Sequence, residues 1–321
     1  MTNPFQALTP DQASTGASKV DALFYTLTGL SAFLIFAIAG VIIYFALRYR
    51  RREGDDLAMR GVGITKKQMH RIEALWIGVP LAIFFGIFIW GASLFAAITT
   101  PPADAMEIYV VGKQWMWKTQ HQAGRREINE LHVPVGEPVK LIMTSEDVIH
   151  SFYVPAFRVK ADVMPGRYTT LWFEATEVGE HHLFCAEYCG TKHAEMIGKV
   201  VAMEPQAFQD WLAGATSQNL DEVGEALFQR TGCQTCHKAE GDGRGPQLRG
   251  LFGKEVVLSD GRKVVADESY LRESILDPKR AVVAGYQPIM PTYVSQLSEE
   301  DVVALIAYIK SLGTAAPVEQ P

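Results

Sequence analysis

The chain opens with two long apolar runs and then changes character twice. Residues 23–47 carry no charged side chain, and residues 72–98 carry one, Glu73. A helix needs about 20 apolar residues to cross the hydrocarbon core, so each run predicts a membrane-spanning helix, at about 23–47 and 72–98. Trp76 and Trp90, with Tyr25 and Tyr44, fit interfacial positions. Thr100-Pro101-Pro102 then stops the second helix, because proline cannot continue one. From residue 107 to about 203 the pattern shortens to segments rich in Val, Ile, Tyr, Phe and Thr. Examples are 107–111, 139–144, 169–173 and 198–203, with Gly and Pro clusters at 135–138 and 164–166 between them. That spacing predicts an antiparallel β-sandwich or barrel. Residues 205–219 read as a short helix and a small-residue stretch, a linker. From residue 220 the chain reads as helical at both ends. Ser298 and Asp301 form a capping box before Val302, Leu305, Ile306 and Ile309, which mark one helix face. The expected division is 1–100, 101–204, a linker at 205–219, 220–313 and a tail at 314–321.

Charge orients this plan. Arg48, Arg50, Arg51, Arg52, Arg60, Lys66, Lys67 and Arg71 crowd the loop between the apolar runs, while the outer flanks carry almost no Lys or Arg. The positive-inside rule places this loop in the cytoplasm and both termini outside, with the domains that follow. The start has no basic region of the signal-peptide kind, so the first run reads as a retained span. The whole chain of 321 residues carries a formal charge of −6. Such a balance offers nucleic acid no basic face, and no nucleic-acid partner is expected.

The chain has four cysteines, and two short blocks use them all. In the first, Cys185 and Cys189 are followed by His193 and Met196, and His150 lies upstream. Two thiolates, two imidazoles and a thioether are soft donors. Zinc accepts the Cys and His ligands and gains little from a thioether, whereas copper accepts all of them. Two thiolates can also bridge two copper ions. Taken alone, the cysteine pair could instead form a structural disulfide. The second block, Cys233-Gln234-Thr235-Cys236-His237, is the attachment signature of c-type haem, with thioethers from the cysteines and iron on His237. A dithiol or half of a zinc site would leave the adjacent histidine unexplained. Met290, between Ile289 and Pro291, is the only methionine after Met203 and is the candidate sixth ligand.

Residues 185–196, with the preceding two-span hairpin, resemble the cytochrome c oxidase subunit II family, and residues 220–313 resemble a small single-haem cytochrome c. The resemblance implies a two-helix transmembrane hairpin, a cupredoxin-like β-sandwich or barrel and an all-α class I cytochrome c domain. It implies a binuclear copper centre held by His150, Cys185, Cys189, His193 and Met196 and by the backbone carbonyl of Glu187. The Glu187 carboxylate would face a magnesium ion shared with subunit I, and Asp147 would support His150. It implies one covalent haem c at Cys233, Cys236, His237 and Met290. Gln114-Trp115-Met116-Trp117 resembles the family's aromatic stretch, in which Trp115 would receive the electron; simple core packing of Trp115 is the alternative. Glu73 would lie at the mouth of a proton channel, against a bland reading as a carboxylate solvated at the headgroups. Gly224, Phe228 and Tyr308 match the helix crossing of cytochrome c, and Gly245-Pro246-Gln247-Leu248 its loop beside the axial histidine.

The implied function is a proton-translocating oxidoreductase subunit in the bacterial inner membrane. Electrons enter at haem c and pass through copper to subunit I, which holds the oxygen-reducing site. The implied partners are subunit I and the other oxidase subunits, the lipid bilayer, and an upstream donor, cytochrome c or a quinol-oxidising complex. The alternative is the electron-accepting subunit of a copper-containing nitric oxide reductase.

Overall fold

The structure is a computed structural model and describes residues 10–50, 65–214, 219–238, 243–294 and 296–314. Arg51, Arg52 and Arg60 of the basic loop, the linker residues 215–218 and the tail from residue 315 lie outside them. The chain divides into two compact units, Gly16–Thr100 and Met1–Thr15 with Pro101–Pro321.

The first unit is a pair of helices, α1 (Ala17–Arg48) and α2 (Lys66–Thr99). Both run past the apolar segments into their polar flanks. At α2 the extension has a local cause. Thr65 Oγ1 accepts from the Gln68 N–H, and the Gln68 side chain accepts from the Thr65 N–H at 2.9 Å, a capping box before the apolar run. Each helix exceeds the roughly 30 Å hydrocarbon thickness at 1.5 Å per residue. Phe36 is 76% exposed and Trp76 75%. Apolar surface of this kind is covered in lipid or by partner helices.

The second unit holds a two-sheet sandwich. Its strands are β1 (Met106–Lys113), β2 (Met116–His121), β3 (Arg126–Ile128), β4 (Glu130–Pro134), β5 (Pro138–Ser145), β6 (His150–Val154), β7 (Val159–Val163), β8 (Thr169–Glu174), β9 (Gly179–Cys185) and β10 (Ile197–Met203). One sheet runs β3-β2-β1-β5-β8 and the other β4-β10-β9-β6-β7. Ile108, Val110, Leu141 and Met143 of the first sheet meet Leu131, Phe152, Leu183 and Val200 of the second in one core. The sheets are mixed: β1 pairs parallel with β5, and β4 parallel with β10. The antiparallel expectation fails at these two pairs, because alternation along a strand carries no information about its neighbour's direction.

Helix α3 (Pro205–Ala213) occupies the first part of the expected linker. Its Phe208 is fully buried and packs on His121, so this stretch is a packed element. The remaining elements are α4 (Leu220–Arg230), a two-stranded ribbon of β11 (Glu255–Val257) and β12 (Lys263–Val265), α5 (Glu268–Leu276) and α6 (Glu299–Thr314). The capping box before α6 is present: the Asp301 carboxylate accepts from the Ser298 N–H at 3.0 Å and the Ser298 hydroxyl from the Asp301 N–H at 3.2 Å. Helices α4 and α6 cross at Gly224, where a Cβ would sit 2.0 Å from the Ala304 carbonyl oxygen. Phe228 and Tyr308 pack beside that crossing with ring centroids 5.3 Å apart and planes tilted by 53°. The architecture is therefore a two-helix hairpin, a cupredoxin-like sandwich and a helical cytochrome c-like domain.

Candidate metal and haem centres

Sheet order explains how distant residues meet. Strands β10, β9 and β6 are neighbours. His150 begins β6, Cys185 ends β9, and Cys189, His193 and Met196 lie on the connection from β9 to β10. The Cys185 N–H donates to the Met196 carbonyl at 3.3 Å and closes that loop. The donor atoms of His150, Cys185 and Cys189 all lie within 4.8 Å of one another. Cys189 Sγ is 3.8 Å from Cys185 Sγ, 3.5 Å from His193 Nδ1 and 3.9 Å from Met196 Sδ. A disulfide needs an S–S distance of about 2.05 Å, so both thiols are free. The Glu187 carbonyl lies 3.2 Å from Cys185 Sγ, while the Glu187 residue is exposed. Two thiols, two imidazoles and a thioether converging here, all buried but the half-buried His193, fit copper better than zinc.

The surroundings orient the donors. His150 is fully buried, with Nδ1 3.9 Å from Cys185 Sγ and Nε2 2.9 Å from Asp147 Oδ1. Burial opposes the charge on Asp147, but the Gln114 N–H, His150 and the Val148 N–H outweigh it and hold the carboxyl below its usual range. Such a carboxylate fixes the ring and its tautomer. Gly112 gives the ring room, since a Cβ there would lie 2.9 Å from His150 Cδ2. Burial also opposes the Cys185 thiolate, yet hydrogen bonding from His150 and nearby backbone lowers that thiol to about 6. Burial and the neighbouring Cys185 charge push the Cys189 thiol up to about 12.

Trp115 sits half-buried at the rim, its Nε1 donating to the Cys189 carbonyl at 3.3 Å. Gln114 donates to the same carbonyl through Nε2 at 2.8 Å. Sequence reasoning assigns Gln114 no role, because nothing in its surroundings announces a backbone partner 75 residues away. Glu73 lies on α2, exposed, with His70 Nδ1 3.2 Å from its carboxylate; no other predicted site residue accompanies it within its unit.

The second centre lines a cavity of about 560 Å³. Cys233, Cys236 and His237 lie on its wall, and Met290 lines the same cavity with Tyr293 and Ile289. The cysteines are free, and the turn at Cys233–Thr235 brings the His237 N–H to the Cys233 carbonyl at 3.0 Å. His237 Nδ1 donates to the Pro246 carbonyl at 2.8 Å. Leu248, Leu271, Ile275 and Leu305 supply apolar walls. A large apolar chamber with two thiols, an oriented imidazole and a thioether fits a haem.

Residues 107–203 match the family described as cytochrome c oxidase subunit II, periplasmic domain, and residues 222–313 match cytochrome c. The chain is 32% identical to cytochrome c oxidase subunit 2 of Alkalihalophilus pseudofirmus, over 88% of this chain and 83% of that one. The chain belongs to the cytochrome c oxidase subunit II family. It is also similar to cytochrome c oxidase subunit 2 of Thermostichus vulcanus, at 31% identity over 64% of this chain and 77% of that one. Among solved structures, the periplasmic domain of subunit II of cytochrome oxidase from Bradyrhizobium japonicum matches at 32% identity. That match covers 36% of this chain and 96% of the other, with a TM-score of 0.35.

A subunit II carrying a cytochrome c domain is an oxidoreductase component that works with other oxidase subunits, and its two domains imply copper and haem. Two helices long and apolar enough to span a bilayer, before a domain of the periplasmic class, fit an inner-membrane protein with an outer-side domain. These relatives are cytochrome c oxidase subunits, which does not favour the nitric oxide reductase alternative.

Proposed function

We propose that this chain takes an electron at a covalently attached haem c and passes it through a binuclear copper centre to subunit I, where dioxygen is reduced and protons are pumped. Cys233 and Cys236 would hold the haem by thioethers, with His237 and Met290 supplying the donors to its iron. His150, Cys185, Cys189, His193, Met196 and the Glu187 carbonyl would hold the copper pair. Bound, the two groups supply reversible one-electron exchange. The convergence of five soft side-chain donors, from two neighbouring strand ends and the loop between β9 and β10, carries this reading.

The protein groups have separable tasks. Asp147 holds the His150 ring from Nε2 and leaves Nδ1 facing the sulfurs. Gln114 and Trp115 anchor the Cys189 carbonyl, which places the Trp115 ring against the copper loop and supports it as a point of electron arrival. The exposed Glu187 carboxylate is available to a magnesium ion at the subunit I boundary, and Glu73 to a proton-channel mouth on the cytoplasmic side. The basic loop in the cytoplasm would put both redox domains outside, where cytochrome c or a quinol-oxidising complex delivers electrons. Domain limits at 101–204 and 220–313 accompany this reading.

Electron paramagnetic resonance of the full chain in detergent, loaded with haem and copper, tests it. One unpaired electron shared over two copper nuclei is the expected signal. A single-copper signal, or zinc retained in preference to copper, overturns it.

A further inference from the structure

Strand β1 is buried on both sides. Ile108 and Val110 enter the sandwich core, while Tyr109 joins the core of the cytochrome c domain together with Ile142 of β5 and Tyr168. A sandwich face turned to water alternates apolar and polar residues. Here 108–111 and 141–143 are unbroken apolar runs, and each of these residues is buried. The outer face of this sheet is covered, and helix α6 with its neighbours supplies the cover.

Charge closes the patch on two flanks. Lys118 Nζ donates to Glu146 Oε1 at 2.6 Å and to Glu300 Oε1 at 2.7 Å. On the other flank Lys310 donates to Glu107 and, at 2.9 Å, to Glu268, while Lys140 donates to Glu107 at 3.0 Å. Glu107, Lys118, Lys140 and Glu146 belong to the copper domain; Glu268, Glu300 and Lys310 belong to the cytochrome c domain. All seven side chains are only 13–27% exposed. Lys118 and Lys310 therefore each neutralise carboxylates from both domains in a partly desolvated setting, where losing one partner leaves the others uncompensated. The Lys118 flank also adjoins the copper ligands. Glu146 immediately precedes Asp147, the residue holding His150, and its N–H donates to the Gly112 carbonyl at 3.0 Å.

We propose that the outer face of β1 and β5 is a fixed seat for the cytochrome c domain, pinned by Lys118 and Lys310, so that the haem cavity and the copper site keep one orientation relative to each other. A flexible tether alone would give only a high effective concentration and a search for the productive pose. The seat itself needs only the contacts above; its consequence for electron transfer rests on the relay reading.

Two readouts on the full chain, loaded with haem and copper in detergent, separate the claims. The first is lysine acetylation read by mass spectrometry. Lys118, Lys140 and Lys310 are expected to react on the order of tenfold more slowly than the exposed Lys160 and Lys263. K118E is expected to raise the reactivity of Lys310 and Lys140, and E300K added to K118E to restore protection. Lys310→Met keeps the apolar stem, drops the charge, and serves where K118E fails to fold. Equal reactivity of pinned and exposed lysines in the unaltered chain overturns the seat.

The second readout is transient reduction of the haem, followed as one electron leaves it and one enters the copper pair. A single phase is expected in the unaltered chain. A slower, multiphasic transfer is expected in K118E and recovery in K118E/E300K, with haem optical and copper resonance spectra unchanged. An identical rate in K118E overturns the role of the pins. Protected lysines with no electron reaching copper would sink the relay reading and leave the seat standing.

Discussion

His237 donates its Nδ1 proton to the carbonyl oxygen of Pro246 across 2.8 Å. A carbonyl can only accept, so this bond settles the tautomer and leaves Nε2 with a free lone pair. Met290 lines the same cavity, and a His/Met pair favours ferrous iron. Met290→His is therefore expected to lower the haem midpoint potential, by on the order of 0.1 V, with the haem retained. Potentiometric titration followed at the haem bands checks this. An unchanged potential would mean that Met290 packs against the haem without binding iron.

The copper cysteines differ in what they bring to metal binding. Cys185 is lowered to about 6, so near pH 7.5 it is already mostly thiolate, while Cys189 is pushed up to about 12 and keeps its proton. Metal binding requires both as thiolates. Copper uptake near that pH should release about one proton from this pair, from Cys189, and copper affinity should rise with pH. Below about pH 6 the pair should release two and the dependence should steepen. Calorimetry in buffers of different ionisation enthalpy measures the count. Release of two cysteine protons at pH 7.5 would mean that the pair holds no thiolate before the metal arrives.

The sequence is legible here where chemistry is local. The donors at 185, 189, 193 and 196 and the block at 233–237 declare themselves by residue type and spacing. Their convergence with His150 depends on β6, β9 and β10 being neighbours, which no spacing encodes. The parallel pairing of β1 with β5 is unreadable for the same reason. Gln114 carries no signal, because its partner is a backbone carbonyl brought in by folding. The runs 108–111 and 141–143 do carry a signal: unbroken apolar stretches in a sandwich announce a second cover. Recognising that the cover is the chain's own cytochrome c domain takes the assembled structure.

Glu107 gives the domain boundary a defined acid limit. Burial raises its carboxyl, but Lys310 and Lys140 outweigh burial and hold it below the usual 4.5. A depressed carboxyl contributes stability that is full above its unfolded value and is lost as pH falls through the folded one. Lys310 is raised above 10.5 by Glu268 and Glu107 despite burial, so its share persists below that pH and fades as pH rises through its folded value. The boundary should thus hold across the neutral range and loosen below about pH 4.5. Glu107→Gln should cost about 1–3 kcal/mol at pH 7. That deficit should shrink as the pH falls from about 4.5 through the carboxyl's folded value. Denaturant unfolding at pH 7 and pH 3.5 tests both statements; an equal deficit at the two values would remove the ionic account.

The crossing of α4 and α6 tolerates no side chain at Gly224. A Cβ there meets the Ala304 carbonyl oxygen at 2.0 Å, its carbon at 2.7 Å and Tyr308 Cβ at 2.7 Å. Two of these atoms are backbone, so the helices must move apart, and Phe228 then loses its packing on Tyr308. Overpacking of this kind costs about 1–3 kcal/mol, and a backbone clash belongs at the upper end. A small domain loses roughly 4–8 °C in Tm per kcal/mol. Gly224→Ala should lower the melting temperature read at the haem bands by that scale, while the copper resonance spectrum, which reports the sandwich, stays as it was. A copper spectrum that changes alongside would mean that the two domains unfold as one cooperative body, and the crossing would then brace both centres.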